Sequence, residues 1–309
     1  MTKINIKNIL PYVLKVLLGL LFIFSAVVKE IEMDKFEIYI YSYHFFSLNF
    51  SFLVARAAII AELVLGIGLI SNCFHKLMWW GSMVMLIGYT LLLIYAYFVG
   101  RTDNCHCFGD VLQFNPWQSI LKNVVLMALF IPIYKIKGFR FRGQWLALLA
   151  VVVVSTAVLF IICPPDNFMS SYRPGNDLQH ELFAEALDEP PLDTLDLKEG
   201  KQVVCFYSTG CQFCQLSAHK LSLMQQYYGF PAERITYVFM GSQEGIVKFY
   251  EKSESACYRN VIYPDVVKML KIIDGSFPVV VFMENGQVIH EYGSRNMRED
   301  DIKMFFTQP

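Results

Sequence analysis

The chain has 309 residues, 26 lysines and arginines against 27 aspartates and glutamates, and a formal net charge of −1. Apolar residues make up 55% and charged residues 17%, with a mean hydropathy of +0.41, too apolar for a soluble protein of this length. The balanced charge excludes a basic stripe of the kind that holds nucleic acid. Eight cysteines are too few for a disulfide scaffold, and their grouping into close pairs points to redox or metal chemistry.

A membrane helix needs about 20 mostly apolar residues, because the hydrocarbon layer is ~30 Å thick and each residue rises about 1.5 Å. Five stretches predict such spans: residues 9–28, 52–71, 77–99, 120–134 and 144–163. The first lacks a small-residue cleavage pattern and is followed by further spans, so it reads as a membrane helix and not a signal peptide. Basic residues collect at Lys3 and Lys7, at His75 and Lys76, and at Lys135, Lys137, Arg140 and Arg142. With five spans these three clusters fall on one side, which the positive-inside rule makes cytoplasmic. Residues 29–51, 100–118 and the C-terminal half then face outwards, into the periplasm of an inner-membrane protein. That compartment is oxidising and permits disulfide chemistry.

Arg56 and Glu62 stand within or at the edge of the second span. A charge there costs about 2.5–3.5 kcal/mol on insertion scales, so such groups face the bundle interior or a polar cavity. Two readings stand: a proton or quinone site around Glu62, or a structural ion pair with a snorkelling arginine. Between the third and fourth spans runs Asp103-Asn104-Cys105-His106-Cys107-Phe108-Gly109-Asp110. Two cysteines one residue apart can close a strained, easily reduced disulfide. His106 between them can lower a thiol pKa when protonated, or move a proton. The same group suits copper(I) or zinc, and a static disulfide to Cys163 is a third reading.

From 164 to 191 the chain turns polar and rich in proline, aspartate and glutamate, which predicts a linker with a short helix at 177–187. After it the pattern is α/β. Strands are predicted at 202–207, 235–240, 279–283 and 287–292, and helices at 214–228, 243–252, 263–271 and 298–306. Asn285-Gly286 between two apolar runs is a hairpin signal. Cys211-Gln212-Phe213-Cys214 follows the first strand and opens a helix, where free amides and the dipole favour a thiolate. Half of a zinc site is the alternative, but no second CxxC or histidine pair follows. Cys205 and Cys257 read as apolar filler, the latter with a third redox role as its alternative, and Cys73 as inert.

Two resemblances follow from these motifs. Residues 24–29 closing the first span, Glu62 ahead of the apolar run 63–69, and Cys105-x-Cys107-Phe108-Gly109-Asp110 followed by Trp117 and Lys122-Asn123 resemble the DoxX/MauE-like membrane proteins over residues 8–165. That resemblance implies a four-helix core and a part in disulfide formation, with Cys105 and Cys107 as the membrane redox pair. His106 departs from the glycine usual there. Residues 190–307, with a strand, CxxC, a helix and then Phe277-Pro278 opening a later strand, resemble membrane-anchored thioredoxin-fold proteins. This implies Cys211 as nucleophile, Cys214 as the resolving thiol, and a cis Pro278 that offers backbone to an extended substrate. Ser208-Thr209-Gly210 replaces the usual tryptophan before the first cysteine.

The expected fold is therefore a membrane α-helical bundle, with a four-helix core at 1–143 and a fifth span at 144–163, then a linker at 164–191 and an α/β thioredoxin-like domain at 192–309. The expected function is an integral-membrane thiol-disulfide oxidoreductase. Electrons would pass between the CxC and CxxC pairs, and on to extracytoplasmic protein thiols or disulfides. With no cysteine pair on the cytoplasmic side, a bilayer quinone is the favoured far partner, and no metal is assigned. Docking or assembly within an envelope complex, and metal delivery through CxC, are the alternatives.

Overall fold

The computed structural model describes residues 6–100, 114–139, 142–164 and 178–308. The expected CxC site, Cys105, His106 and Cys107, lies outside these residues. The chain divides into two compact units, Met1–Pro164 and Pro165–Pro309.

The first unit is helical: α1 (Ile6–Ile31), α2 (Met33–Tyr41), α3 (Leu48–Ser71), α4 (His75–Phe98), α5 (Pro116–Phe130) and α6 (Gln144–Ile162). Five of these are long and apolar enough to cross a membrane, α5 doing so together with the 3-10 turn Ile131–Lys135. Each expected span is present. Pro116 and the reciprocal side-chain bonds of Asn115 and Gln118 start α5 three to four residues before its apolar run. Gly19 and Gly66 let α1 and α3 approach closely, since a Cβ built on either would lie 2.9 or 2.8 Å from the other's carbonyl oxygen. Across α4 and α5, the Trp79 indole donates to the Phe130 carbonyl at 2.8 Å and Asn123 donates to the Thr90 hydroxyl at 3.2 Å. Helix α2 was not anticipated in the segment 29–51. It is only nine residues long and carries a one-sided apolar stripe, burying Met33, Phe36, Glu37, Ile38 and Tyr41.

The second unit contains α7 (His180–Ala186), β1 (Lys201–Ser208), α8 (Gln212–Tyr228), β2 (Ile235–Met240), α9 (Gln243–Ser253), β3 (Arg259–Ile262), α10 (Val266–Ile272), β4 (Val279–Glu284), β5 (Gln287–Tyr292) and α11 (Glu299–Thr307). The strand order is β3-β2-β1-β4-β5. β2 runs parallel to β1 and β3, while β4 runs antiparallel to β1 and β5. A parallel crossover half joined to an antiparallel hairpin, with the CxxC after the central strand, is the thioredoxin topology. Asn285 (φ 50) and Gly286 (φ 81) both take the left-handed conformation that a two-residue hairpin needs.

Two expectations are corrected here. The helix expected from 263 begins at Val266, because Pro264 disfavours helical backbone at Tyr263 and Asp265 caps the helix by accepting the Lys268 amide at 2.9 Å. Just before it lies β3, a short edge strand whose polar residues hid it. The described part of the expected 164–191 linker, from 178 on, is packed and not free. Leu178, Phe183, Ala186 and Leu187 are buried in one core with Val204, Phe206, Val279 and Val281. Phe183 meets the Phe206 ring edge-on at 5.9 Å. The acidic and polar residues between these positions made an amphipathic helix look like tether.

Candidate active site

β1 ends at Ser208, and after Thr209 and Gly210 Cys211 caps α8 in extended backbone (φ −84, ψ 118). The loop between is held from the side. The Thr209 amide donates to the Met240 carbonyl at 3.1 Å at the end of β2. The Thr209 side chain fills the space over Gly241 and Gly245, where a Cβ would sit 2.2 and 2.8 Å from its hydroxyl. Only glycine leaves room for that approach, and Gly241 also has φ +153. Nothing in the local sequence signals this clamp, because its halves are 32 residues apart.

Cys211 is partly exposed and Cys214 is fully buried beneath it. The Cys214 amide donates to the Cys211 sulfur at 3.3 Å, and the Ser208 amide donates to the Cys214 sulfur at 3.4 Å. These contacts give the two thiols opposite characters. A hydrogen bond from the Cys214 thiol, aided by the amides of Cys214 and Phe213 and opposed by partial burial, holds Cys211 down at about 6 against an ordinary 9. Burial first, and then the neighbouring Cys211, push Cys214 far up. One sulfur is therefore an exposed thiolate near neutral pH and the other a protected thiol, the division of labour that dithiol–disulfide exchange requires.

Pro278 reaches the same end of the sheet. Phe206 faces Val279 across β1 and β4, so the next position puts Pro278 beside Tyr207, just ahead of the cysteine loop. The Phe277–Pro278 peptide is cis. Phe213 projects from the dithiol turn and is about half exposed, at 47%. The Tyr207 hydroxyl lies 3.3 Å from that of Ser217, one turn along α8 from Cys214. Cys205 is fully buried in β1, as expected of filler, and burial pushes its thiol up. Cys257 is corrected: it is exposed on the loop before β3, not packed. Among the described residues no group of three or more His, Cys, Asp or Glu side chains is placed to hold a metal.

In the membrane unit, Arg56 and Glu62 do not pair with each other. Arg56 forms a buried ion pair with Glu37 of α2 and donates twice to the Cys163 carbonyl, at 3.1 and 2.8 Å, tying α2, α3 and the end of α6 together. Glu62 forms a buried ion pair with Lys29 of α1. The Lys29 ammonium also donates to Ser25 at 3.2 Å and lies 4.8 Å from the Tyr89 ring centre. Glu37 and Lys29 were missed from sequence as the partners of Arg56 and Glu62, although buried charges in an apolar bundle must find partners. The Cys163 thiol points to the Glu30 carbonyl at 3.7 Å.

Residues 7–136 match the family model described as methylamine utilisation protein MauE. Over 303 residues the chain is 23% identical to Protein TlpB of Flavobacterium psychrophilum, a match that covers 82% of each. Among solved structures it is similar to the thioredoxin domain of a thiol-disulfide oxidoreductase from Bacteroides vulgatus, with 19% identity and a TM-score of 0.30, covering 36% of this chain and 82% of that one. It is also similar to a thiol:disulfide interchange protein from Bacteroides sp., with 17% identity and a TM-score of 0.29, covering 37% of this chain and 78% of that one. The protein is thus a membrane protein with a MauE-like N-terminal region followed by an α/β domain of thioredoxin topology.

Proposed function

We propose that this protein is a membrane-tethered thiol-disulfide oxidoreductase acting on extracytoplasmic protein thiols. The observation that carries this reading is the pairing of an amide-supported Cys211, held at about 6, with a buried Cys214 one turn on. The Cys211 thiolate attacks one sulfur of a client disulfide. The client S–S bond breaks, a Cys211–client bond forms, and the other client sulfur leaves as a thiolate that takes a proton. Cys214 then loses its proton and attacks the Cys211 sulfur, releasing the second client thiol and closing Cys211–Cys214. Two electrons have moved to the client, and the reverse sequence oxidises it. Phe277 and Pro278 offer the backbone against which an extended client lies.

When the reverse sequence oxidises a client, Cys211 and Cys214 are left as a dithiol, and a Cys105–Cys107 disulfide reoxidises them by the same exchange, taking up the two electrons. The tether makes that step intramolecular, with an effective concentration on the order of millimolar. A quinone in the bilayer is the far electron partner of Cys105 and Cys107. The N-terminus is cytoplasmic, and the α/β domain lies in the periplasm of an inner-membrane protein. Thiol trapping in cells tests the relay. With Cys105 and Cys107 changed to serine, the Cys211–Cys214 pair is expected to accumulate in one redox state. An unchanged distribution refutes the relay and favours a docking role for the membrane unit.

A further inference from the structure

Two cavities share Lys29 and Tyr89 in their walls. The larger, of about 120 Å³, has Lys29 in its wall together with Phe36, Tyr39, Tyr43, Phe45, Phe46 and Tyr89. Its remaining surface is aliphatic and includes Ala58 of α3 and Leu93 of α4. The smaller, of about 40 Å³, shares Lys29 and Tyr89 and adds Glu62, Lys122 and Asn123. A cavity of roughly 150 Å³ holds benzene, and about 10–15 Å³ suffices for a water. The first space approaches the size of one aromatic ring and the second is ample for water.

The polar groups narrow the choice of occupant. Glu62 is buried, and among the described residues its Oε2 accepts no hydrogen bond although its other oxygen pairs with Lys29. Such an atom has lost its hydration without return unless something enters beside it. A lipid acyl chain needs neither a cation in the wall of its pocket nor a carboxylate in an adjoining one. A quinone needs both kinds of group, a donor for its carbonyl and a source of protons. The lining is also set at the end of the bundle from which α4 leads towards α5, with Tyr95 of α4 packed 5.3 Å from Phe45.

We infer that the larger cavity binds the ring of a bilayer quinone, with one carbonyl accepting a hydrogen bond from Lys29 and the smaller cavity supplying protons past Glu62. This rests on the proposed thiol chemistry for its electrons. Two thiols lose two protons and two electrons and form one S–S bond. The quinone takes two electrons and two protons, and its two carbonyls become hydroxyls.

The test uses the full-length protein in detergent, reduced, without oxygen, and decylubiquinone as probe. Wild type is expected to bind the probe saturably and to form one quinol per disulfide. Ala58→Phe and, independently, Leu93→Trp fill the cavity and are expected to raise the half-saturating concentration by about tenfold or more, a loss of about 1.4 kcal/mol. Iodoacetamide labelling of Cys211 is expected to be unchanged in both. Binding that neither variant weakens overturns the site, and so does equal competition by decane, which would mark an acyl-chain pocket. A Cys105→Ser/Cys107→Ser variant separates the two readings. Probe bound as in wild type with no quinol formed supports both, and quinol formed at the wild-type rate removes the Cys105–Cys107 relay while leaving the cavity assignment intact.

Discussion

Changing Cys214 to alanine removes the largest contribution to the low pKa of Cys211 and leaves the amides of residues 213 and 214 in place. In the reduced wild-type protein, iodoacetamide labelling of Cys211 should titrate with a midpoint of about 6. In Cys214→Ala the midpoint should move up towards the ordinary 9 but stop short of it, because backbone donors survive the substitution. The rate at pH 7 is a poorer readout. A thiol at about 6 is roughly 90% ionised there, against roughly 1% at 9. Nucleophilicity falls with basicity, however, and with a slope of about 0.4–0.5 that cancels roughly 20-fold of the gain. The net advantage is only about fivefold, so the decisive measurement is the midpoint, read by peptide mapping to keep exposed Cys257 out of the signal. The same shift carries a stability signature. Because the folded value is depressed, the reduced domain gains stability that is fully present above pH 9 and is lost as pH falls through about 6. A wild-type midpoint near 8 or above, or one unmoved in Cys214→Ala, refutes the account of the site.

Phe183→Ala should destabilise the α/β domain by about 3–5 kcal/mol, because a buried ring against Phe206 is lost. Pulse proteolysis of the full chain in urea reads this, and a change under 1 kcal/mol on the order of a surface substitution would make residues 178–187 a tether after all. In the bundle, Arg56→Met or Glu37→Gln alone should cost about 3–5 kcal/mol by stranding a buried charge, whereas Arg56→Met with Glu37→Met should recover most of it. Thermal unfolding in detergent distinguishes these, and equal losses in single and double variants would deny the pair.

Local rules carried far in this chain. The bilayer's thickness sets a length that five apolar runs meet, and short apolar runs bounded by turn residues mark β2, β5 and the hairpin at Asn285-Gly286 to the residue. A thiol pair directly after an apolar run and at the start of a helix announced its chemistry, since a helix N-terminus favours a thiolate wherever it occurs. The short elements escaped. α2 and β3 each have under ten residues, with polar positions diluting a periodicity that needs a longer run to stand out.

What sequence alone determined was therefore the membrane character, the order of the two units and a CxxC pair at the start of a helix, because each depends on neighbours along the chain. Tertiary structure decided which distant groups meet. It paired Arg56 with Glu37 and Glu62 with Lys29, wedged Thr209 against Gly241, buried Cys214 beneath Cys211 and left a ring-sized space beside Lys29. Those pairings depend on which helix faces come together and how closely, and spacing along a single chain does not specify that.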